Sequence, residues 1–265
     1  MAADPGAEWD AQAYDRLGNP MQSWGEGILA QLELRGDETA LDLGCGSGRL
    51  TELLAQRLPR GRVIAVDRSA NMLAQARERM EPTFGDHIDY LQCSLDELDL
   101  DQVADLAFSN AALHWIRDHP RLFRAIFNAL RPGGRLVAQC GGSSKHIARL
   151  RERAGRLMTS EPYQPYFGDW PGPWEFAEPE TTRQRLEAAG FADVSTSLVR
   201  RPVVLDNAAD YRDYLEHVVF GTHLERLPEH LRPGFLDALA APGASDDPPF
   251  SMDYWRVNID ARRPA

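Results

Sequence analysis

The stretch Ala40-Leu-Asp-Leu-Gly-Cys-Gly-Ser-Gly48 admits few folds. Leu41 and Leu43 end a short apolar run and read as a buried strand. Gly44, Gly46 and Gly48 then remove every β-carbon from one side of a turn, so the backbone can adopt positive φ and a ligand can approach the main chain. The helix that follows, from about Arg49 to Leu58, turns its free N–H groups and positive dipole end toward the same spot. A second strand, Val63-Ile-Ala-Val66, ends in Asp67, where an acid is placed to accept hydrogen bonds from ribose hydroxyls. A dinucleotide fingerprint, G-x-G-x-x-G, would require glycine where Arg49 stands. The spacing here is G-x-G-x-G, which disfavours a nicotinamide site. An ordinary strand–helix turn with a capping Asp is the plain alternative. Asp42 before the glycines and Asp67 nineteen positions after Gly48 argue against it.

The charge balance narrows the ligand class. With 40 acidic against 29 basic side chains, the net charge is −11, which argues against nucleic acid or an anionic membrane as partner. Lysine is almost absent, so the basic charge is nearly all arginine, whose flat fork suits carboxylates. Cys45, Cys93 and Cys140 are far apart and show no metal-ligand spacing, which predicts a reduced cytoplasmic protein without structural zinc. Residues 1–8 carry no basic-then-apolar leader, and no apolar run approaches the length of a membrane span.

Further along, Ser69 reads as an N-cap before a helix containing Met72. Ile88–Cys93 and Asp105–Ser109 read as the third and fourth strands, with Asn110 just past a carboxyl end, where open α/β sheets place their ligands. Arg131-Pro-Gly-Gly134 reads as a turn into a fifth strand, Arg135–Cys140. Tyr163, Tyr166, Phe167, Trp170 and Trp174 then crowd a Pro- and Gly-rich run, either a cap giving the pocket an apolar wall or a surface loop packed on the core. A helix closed by Gly190 precedes a sixth strand. Two helices follow between Asp206 and Leu239, and Ala240–Pro249 reads as a flexible surface loop. The last strand, Met252–Ala261, is expected antiparallel at the sheet edge.

Asp42–Gly48, Val63–Asp67, Asp105–Asn110 and Leu130–Arg135 together resemble the class I S-adenosylmethionine-dependent methyltransferases. Trp9, Tyr14, the Asn110…His114-Trp115 segment and the overall layout are most similar to the trans-aconitate methyltransferase group. The resemblance implies a Rossmann-like α/β fold, a doubly wound, mostly parallel seven-stranded sheet with its last strand antiparallel and a helical, aromatic cap. It implies an N-terminal helical cover over 1–34, a cofactor-binding core over 35–142 and an aromatic cap over 143–177. A core helix and strand over 178–205, a helical cap over 206–250 and a final strand and tail over 251–265 complete the layout.

S-adenosylmethionine is the cofactor the resemblance implies, with S-adenosylhomocysteine as its product. Asp42 would meet its ammonium group, Gly44, Cys45 and Gly46 its amino-acid portion, and Asp67 with Arg68 the ribose side. Met72 would lie on the adenine or simply pack its helix. Ser94 stands where the family usually has an adenine-reading Asp. It would supply a weaker hydrogen bond, or the backbone of Ser94 and Leu95 would do the reading, with Asp96 in reserve. Asn110 would frame the methyl donor, and Tyr14 could reach its methionyl end or serve packing, as could Trp9. Trp9, Trp115, Trp170, Trp174 and Tyr254 are candidate substrate contacts. Arg256 is a candidate for a substrate carboxylate or else a solvated-face arginine.

Methyl transfer converts a sulfonium into a neutral thioether, so alignment and a dry approach matter more than acid–base chemistry. A carboxylate acceptor needs no base. A hydroxyl or amine acceptor would, with His114 the first candidate for that catalytic role. No metal is required. The leading expectation is O-methylation of a small-molecule carboxylate. Methylation of a hydroxyl, nitrogen or carbon, a non-catalytic cofactor sensor and a nicotinamide dehydrogenase are the competitors. The sequence carries no sign of oligomeric state.

Overall fold

The computed structural model describes residues 8, 9, 11–17 and 19–265, with side chains throughout except at 12–14 and 19. Two helices, α1 (Ala11–Leu17) and α2 (Asn19–Leu29), precede β1 (Thr39–Leu43). The alternation then runs α3 (Arg49–Gln56), β2 (Arg62–Asp67), α4 (Ala70–Phe84), β3 (Ile88–Gln92), β4 (Ala104–Asn110), α5 (His119–Ala129) and β5 (Leu130–Gly141). Beyond it lie α6 (Ala148–Met158), α7 (Gln164–Phe167), α8 (Pro179–Ala189), β6 (Ala192–Arg200) and β7 (Val203–Val204). The chain closes with α9 (Ala208–Tyr214), α10 (Gly221–Glu225), α11 (Arg232–Ala240), β8 (Ser251–Met252) and β9 (Trp255–Arg262).

Seven strands form one sheet in the order β3-β2-β1-β4-β5-β9-β6. β1 pairs parallel with both β2 and β4, so the strand order reverses there and opens a crevice at their carboxyl ends. The period-2 alternation of β1 feeds two cores. Leu41 and Leu43 pack with α5, α8 and β9 on one face, while Ala40 packs with α2, α3 and α4 on the other. Local signals set the helix ends. The Ser69 hydroxyl accepts from the Met72 N–H, Asp118 caps α5 ahead of Pro120, and Gly190 ends α8 at φ 109°.

Three expectations need correction. The last strand is antiparallel, but β9 lies between β5 and β6 and leaves β6 at the edge. Its Val257, Ile259 and Ala261 share one face and are buried with α5 and α8, and both of its edges are paired. Arg131–Gly134 is drawn into β5, with the Gly133 N–H donating to the Arg263 carbonyl. Ala240–Pro249 is tied down rather than loose, because the Asp246 carboxylate accepts from Arg149 and Arg153 of α6. A second buried cluster, with Leu150, Phe167, Tyr211, Phe220 and Phe235, joins the segments after β5 and β7. Among the described residues no helix is long and apolar enough to cross a membrane.

Candidate active site

The glycine turn is stitched to β2. The N–H groups of Gly44 and Cys45 donate to the Val66 carbonyl at 2.8 and 3.0 Å. The Gly46 and Ser69 N–H groups each donate to the Asp67 carboxylate at 2.9 Å. A β-carbon on Gly44 would stand 2.2 Å from that of Ala112, at φ 77°, so only glycine lets the turn come this close to the segment after β4. Asp42 lies buried beneath the turn and accepts from the Thr51 hydroxyl at 2.6 Å. Burial pushes its carboxyl up to about 7; the Thr51 hydrogen bond opposes this and nearby Asp67 adds to it. Burial also raises Asp67, against the N–H groups it accepts.

A cleft of roughly 640 Å³, part of it open to solvent, lies over the turn. It brings together Gly44, Asp67, Arg68, Met72, Ser94, Leu95 and Asn110, with Trp9 and Trp115 meeting edge to face at 5.1 Å. Cys93, Ala111, Ala112 and Ile116 also line it. Sequence reasoning missed these four. Ala111, Ala112 and Ile116 follow Asn110 past the end of β4, but small apolar side chains carry no chemical signal. The Ser94 hydroxyl donates to Asp96, so Asp96 stands behind Ser94 and not on the cleft.

Other candidates lie elsewhere. Asp42, Cys45 and Gly46 sit within or beneath the turn rather than on the cleft wall. Trp170 packs in the second core against Phe167 and His223, away from the cleft. Trp174 reaches it only through Trp115, at 5.9 Å. The side chain of Tyr14 lies outside the described residues. His114, expected to face the substrate, is buried against Phe176 and His146, and its Nδ1 accepts the Gly141 N–H at 3.3 Å. Burial, then neighbouring His146 and Arg256, push its imidazole well below the ordinary value, so it is neutral and enclosed by rings.

Arg256 is the largest departure. An arginine on a final strand is more often on a solvated face, yet this one is 1% exposed. Its Nε donates to Gln139 Oε1 at 3.2 Å, and its Nη2 to the Gln139 carbonyl at 3.2 Å and Asn110 Oδ1 at 3.3 Å. The Trp24 ring covers it at 4.9 Å, and Tyr254 packs on Trp24 with its hydroxyl 3.4 Å from that of Tyr214. Arg256 therefore stands directly behind Asn110, on the inner side of the cleft wall.

The leading segment straps across the opposite rim. Glu8 accepts from the Ser69 hydroxyl and from the N–H groups of Ala70 and Asn71 at the start of α4. Asp15 takes Arg79 at 2.6 Å, Gln75 at 3.2 Å and the Ser47 hydroxyl. Both acids escaped sequence reasoning, because exposed acids are common and their partners are 32 to 64 positions away.

Comparison with known proteins decides the family. A family model described as a methyltransferase domain matches residues 41–138. A trans-aconitate 2-methyltransferase of Deinococcus radiodurans is 30% identical over 260 residues, covering 97% of this chain and 98% of that protein. The Variovorax paradoxus protein of the same name is 30% identical, covering 86% of each. The chain belongs to the class I S-adenosylmethionine-dependent methyltransferases. Solved structures agree on the fold of this methyltransferase. Phosphoethanolamine N-methyltransferase 2 of Haemonchus contortus, crystallised with S-adenosyl-L-methionine, superposes with a TM-score of 0.62 at 21% identity, covering 96% of this chain and 57% of that one. Geranyl diphosphate C-methyltransferase of Streptomyces coelicolor gives 0.55 at 16%, covering 99% and 83%. The nicotinamide and sensor alternatives fall away, since the family is catalytic and uses the sulfonium cofactor. The cleft fits that cofactor: a β-carbon-free floor at Gly44, an acid at the tip of β2, and Met72, Leu95 and Ile116 as apolar surface for a base.

Proposed function

We propose that this methyltransferase methylates a carboxylate oxygen of a small, multiply charged acid of the trans-aconitate type. Arg256 is the observation that carries the reading. Taking a guanidinium out of water costs several kcal/mol, and this one is held beside the wall of the cofactor cleft rather than at the surface. Its planar fork matches a carboxylate. The two relatives at 30% identity are both named trans-aconitate 2-methyltransferase, which favours the same acceptor class.

When bound, S-adenosylmethionine supplies an electrophilic methyl group. Asp67, Arg68 and Ser94 would hold its nucleoside, Met72 and Leu95 would flank the base, and Gly44 with Asp42 beneath it would receive its amino-acid end. Trp9, Trp115 and Ile116 narrow the cleft and keep water from the reacting atoms. Asn110 bonds both Arg256 and the Met21 carbonyl, so it joins the cleft wall to the buried cation and to α2. A carboxylate is already an anion, so no residue needs to remove a proton, and a neutral, buried His114 is compatible with the reaction. Orientation of this kind can supply on the order of 7–11 kcal/mol of the barrier.

A labelled-methyl assay against acids, phenols and amines tests the reading. Trans-aconitate and related polycarboxylates should be methylated. Arg256→Leu should raise KM for the acid about 100-fold, the loss of a buried positive charge beside the cleft wall, while S-adenosylhomocysteine still binds by calorimetry. Asp67→Ala should instead abolish that calorimetric signal without unfolding the protein. Methylation of phenols or amines alone would overturn the carboxylate assignment.

A further inference from the structure

Gln139 stands opposite Asn258 across the β5–β9 pairing, and Asn258 stands opposite Ser197 across β9–β6. Their side chains form a row. Gln139 Nε2 donates to Asn258 Oδ1 at 2.5 Å, and Asn258 Nδ2 donates to Ser197 Oγ at 3.3 Å. At the inner end, Gln139 takes Arg256 twice, Nε on its side-chain oxygen and Nη2 on its own carbonyl. At the outer end, Asn258 and Ser197 open onto a groove between α2 and the sheet, which Trp24 and Gln139 also line.

From this row we infer that Gln139 is a positioning residue for the reaction, setting the plane of the Arg256 guanidinium, and that Asn258 locks Gln139 in the orientation this requires. The inference rests on the carboxylate reading of Arg256. A guanidinium only donates, so Gln139 must turn Oε1 inward and its NH₂ outward. Asn258 then has to offer Oδ1 to that NH₂, and the Ser197 hydroxyl accepts from its remaining end. Only one setting of the two amides satisfies the row; flipping either would set donor against donor beside a buried cation. Gln139 is 5% exposed and its bonds to Arg256 are buried, so a bond lost at that inner end is costly. A carboxylate at position 139 would be wrong for the opposite reason: it would neutralise Arg256 from behind and compete with an acidic substrate.

Kinetics with trans-aconitate, and calorimetric titration of trans-aconitate into enzyme saturated with S-adenosylhomocysteine, test this. Gln139→Glu and Gln139→Met should each raise KM and the calorimetric Kd about tenfold or more, with kcat changed less than about threefold. Asn258→Leu should shift both constants the same way but less. Asn258→Asp should restore wild-type values, since its carboxylate still accepts from Gln139. S-adenosylhomocysteine affinity should be unchanged in all four. Wild-type KM in both Gln139 variants, alongside a raised KM in Arg256→Leu, would overturn the positioning role alone. So would a fall in kcat and Tm without a shift in KM, the mark of a merely structural residue. If Arg256→Leu itself leaves KM and Kd unchanged, the carboxylate reading fails first and takes the inference with it.

Discussion

At Asp42, one buried group would couple cofactor binding to stability. Its carboxyl titrates near pH 7 because burial disfavours the charge, while a cationic ammonium would need that charge. S-adenosylhomocysteine, which carries the ammonium, should therefore bind more tightly as pH rises through 7. Below that point affinity should weaken by up to about tenfold per pH unit. Calorimetry between pH 5.5 and 8.5 in wild type and Asp42→Asn checks this, since the variant should lose most of the dependence. Stability runs the other way. The folded-state value is raised above 3.8, so the benefit of the neutral form is complete below that pH and is lost as pH rises through 7. Asp42→Asn should thus raise Tm more at pH 8 than at pH 5.

Among the elements, the turn between β1 and α3 is under the tightest steric demand. Gly44→Ala would place a methyl group 2.2 Å from Ala112 at a positive φ, and should cost about 1–3 kcal/mol. Gly27 in α2 is the contrasting case. A β-carbon there meets nothing within 4 Å and its φ is ordinary, so Gly27→Ala should be neutral or stabilise by about 0.5–1 kcal/mol. Chemical denaturation of both variants checks the pair; equal effects would mean that the turn tolerates a side chain. The placement of β9 matters as much for the site. Inserted beside β5, it puts Arg256 across from Gly141 and Asn258 across from Gln139, next to the segment after β4. An edge position would have left Arg256 distant from Asn110.

Over the whole molecule, four buried histidines set the acid limit. His146 and His223 are depressed to about 3 and His119 to about 4, each first by burial, and His114 falls well below 6.5. The unfolded chain takes up protons that the folded one refuses. The histidines' contribution to stability should be complete above about pH 6.5 and fall as pH drops toward 3. His223 sits in the second core among Trp170, Trp174 and Phe220, and its buried Nδ1 has no hydrogen-bond partner among the described residues. His223→Phe should therefore raise Tm more at pH 5 than at pH 8. Thermal melts at the two values would show it, and a pH-independent difference would remove His223 from the acid response.

Local chemistry made much of this legible in advance. Glycine spacing, an acid at a strand tip, an N-cap serine and a C′ glycine each act within a few residues, so most strands, turns and helices of 35–142 could be read, and Gly44, Asp67, Met72, Ser94 and Asn110 do line one cleft. The neighbours of β9, the burial of Arg256, the ring cage around His114 and the straps at Glu8 and Asp15 depend on contacts between residues far apart in the chain. Burial and partnership are properties of the packed chain: the same arginine is a solvated charge at an edge and a buried cation bonded to Gln139 and Asn110 inside, and only the path of the last strand chose between them.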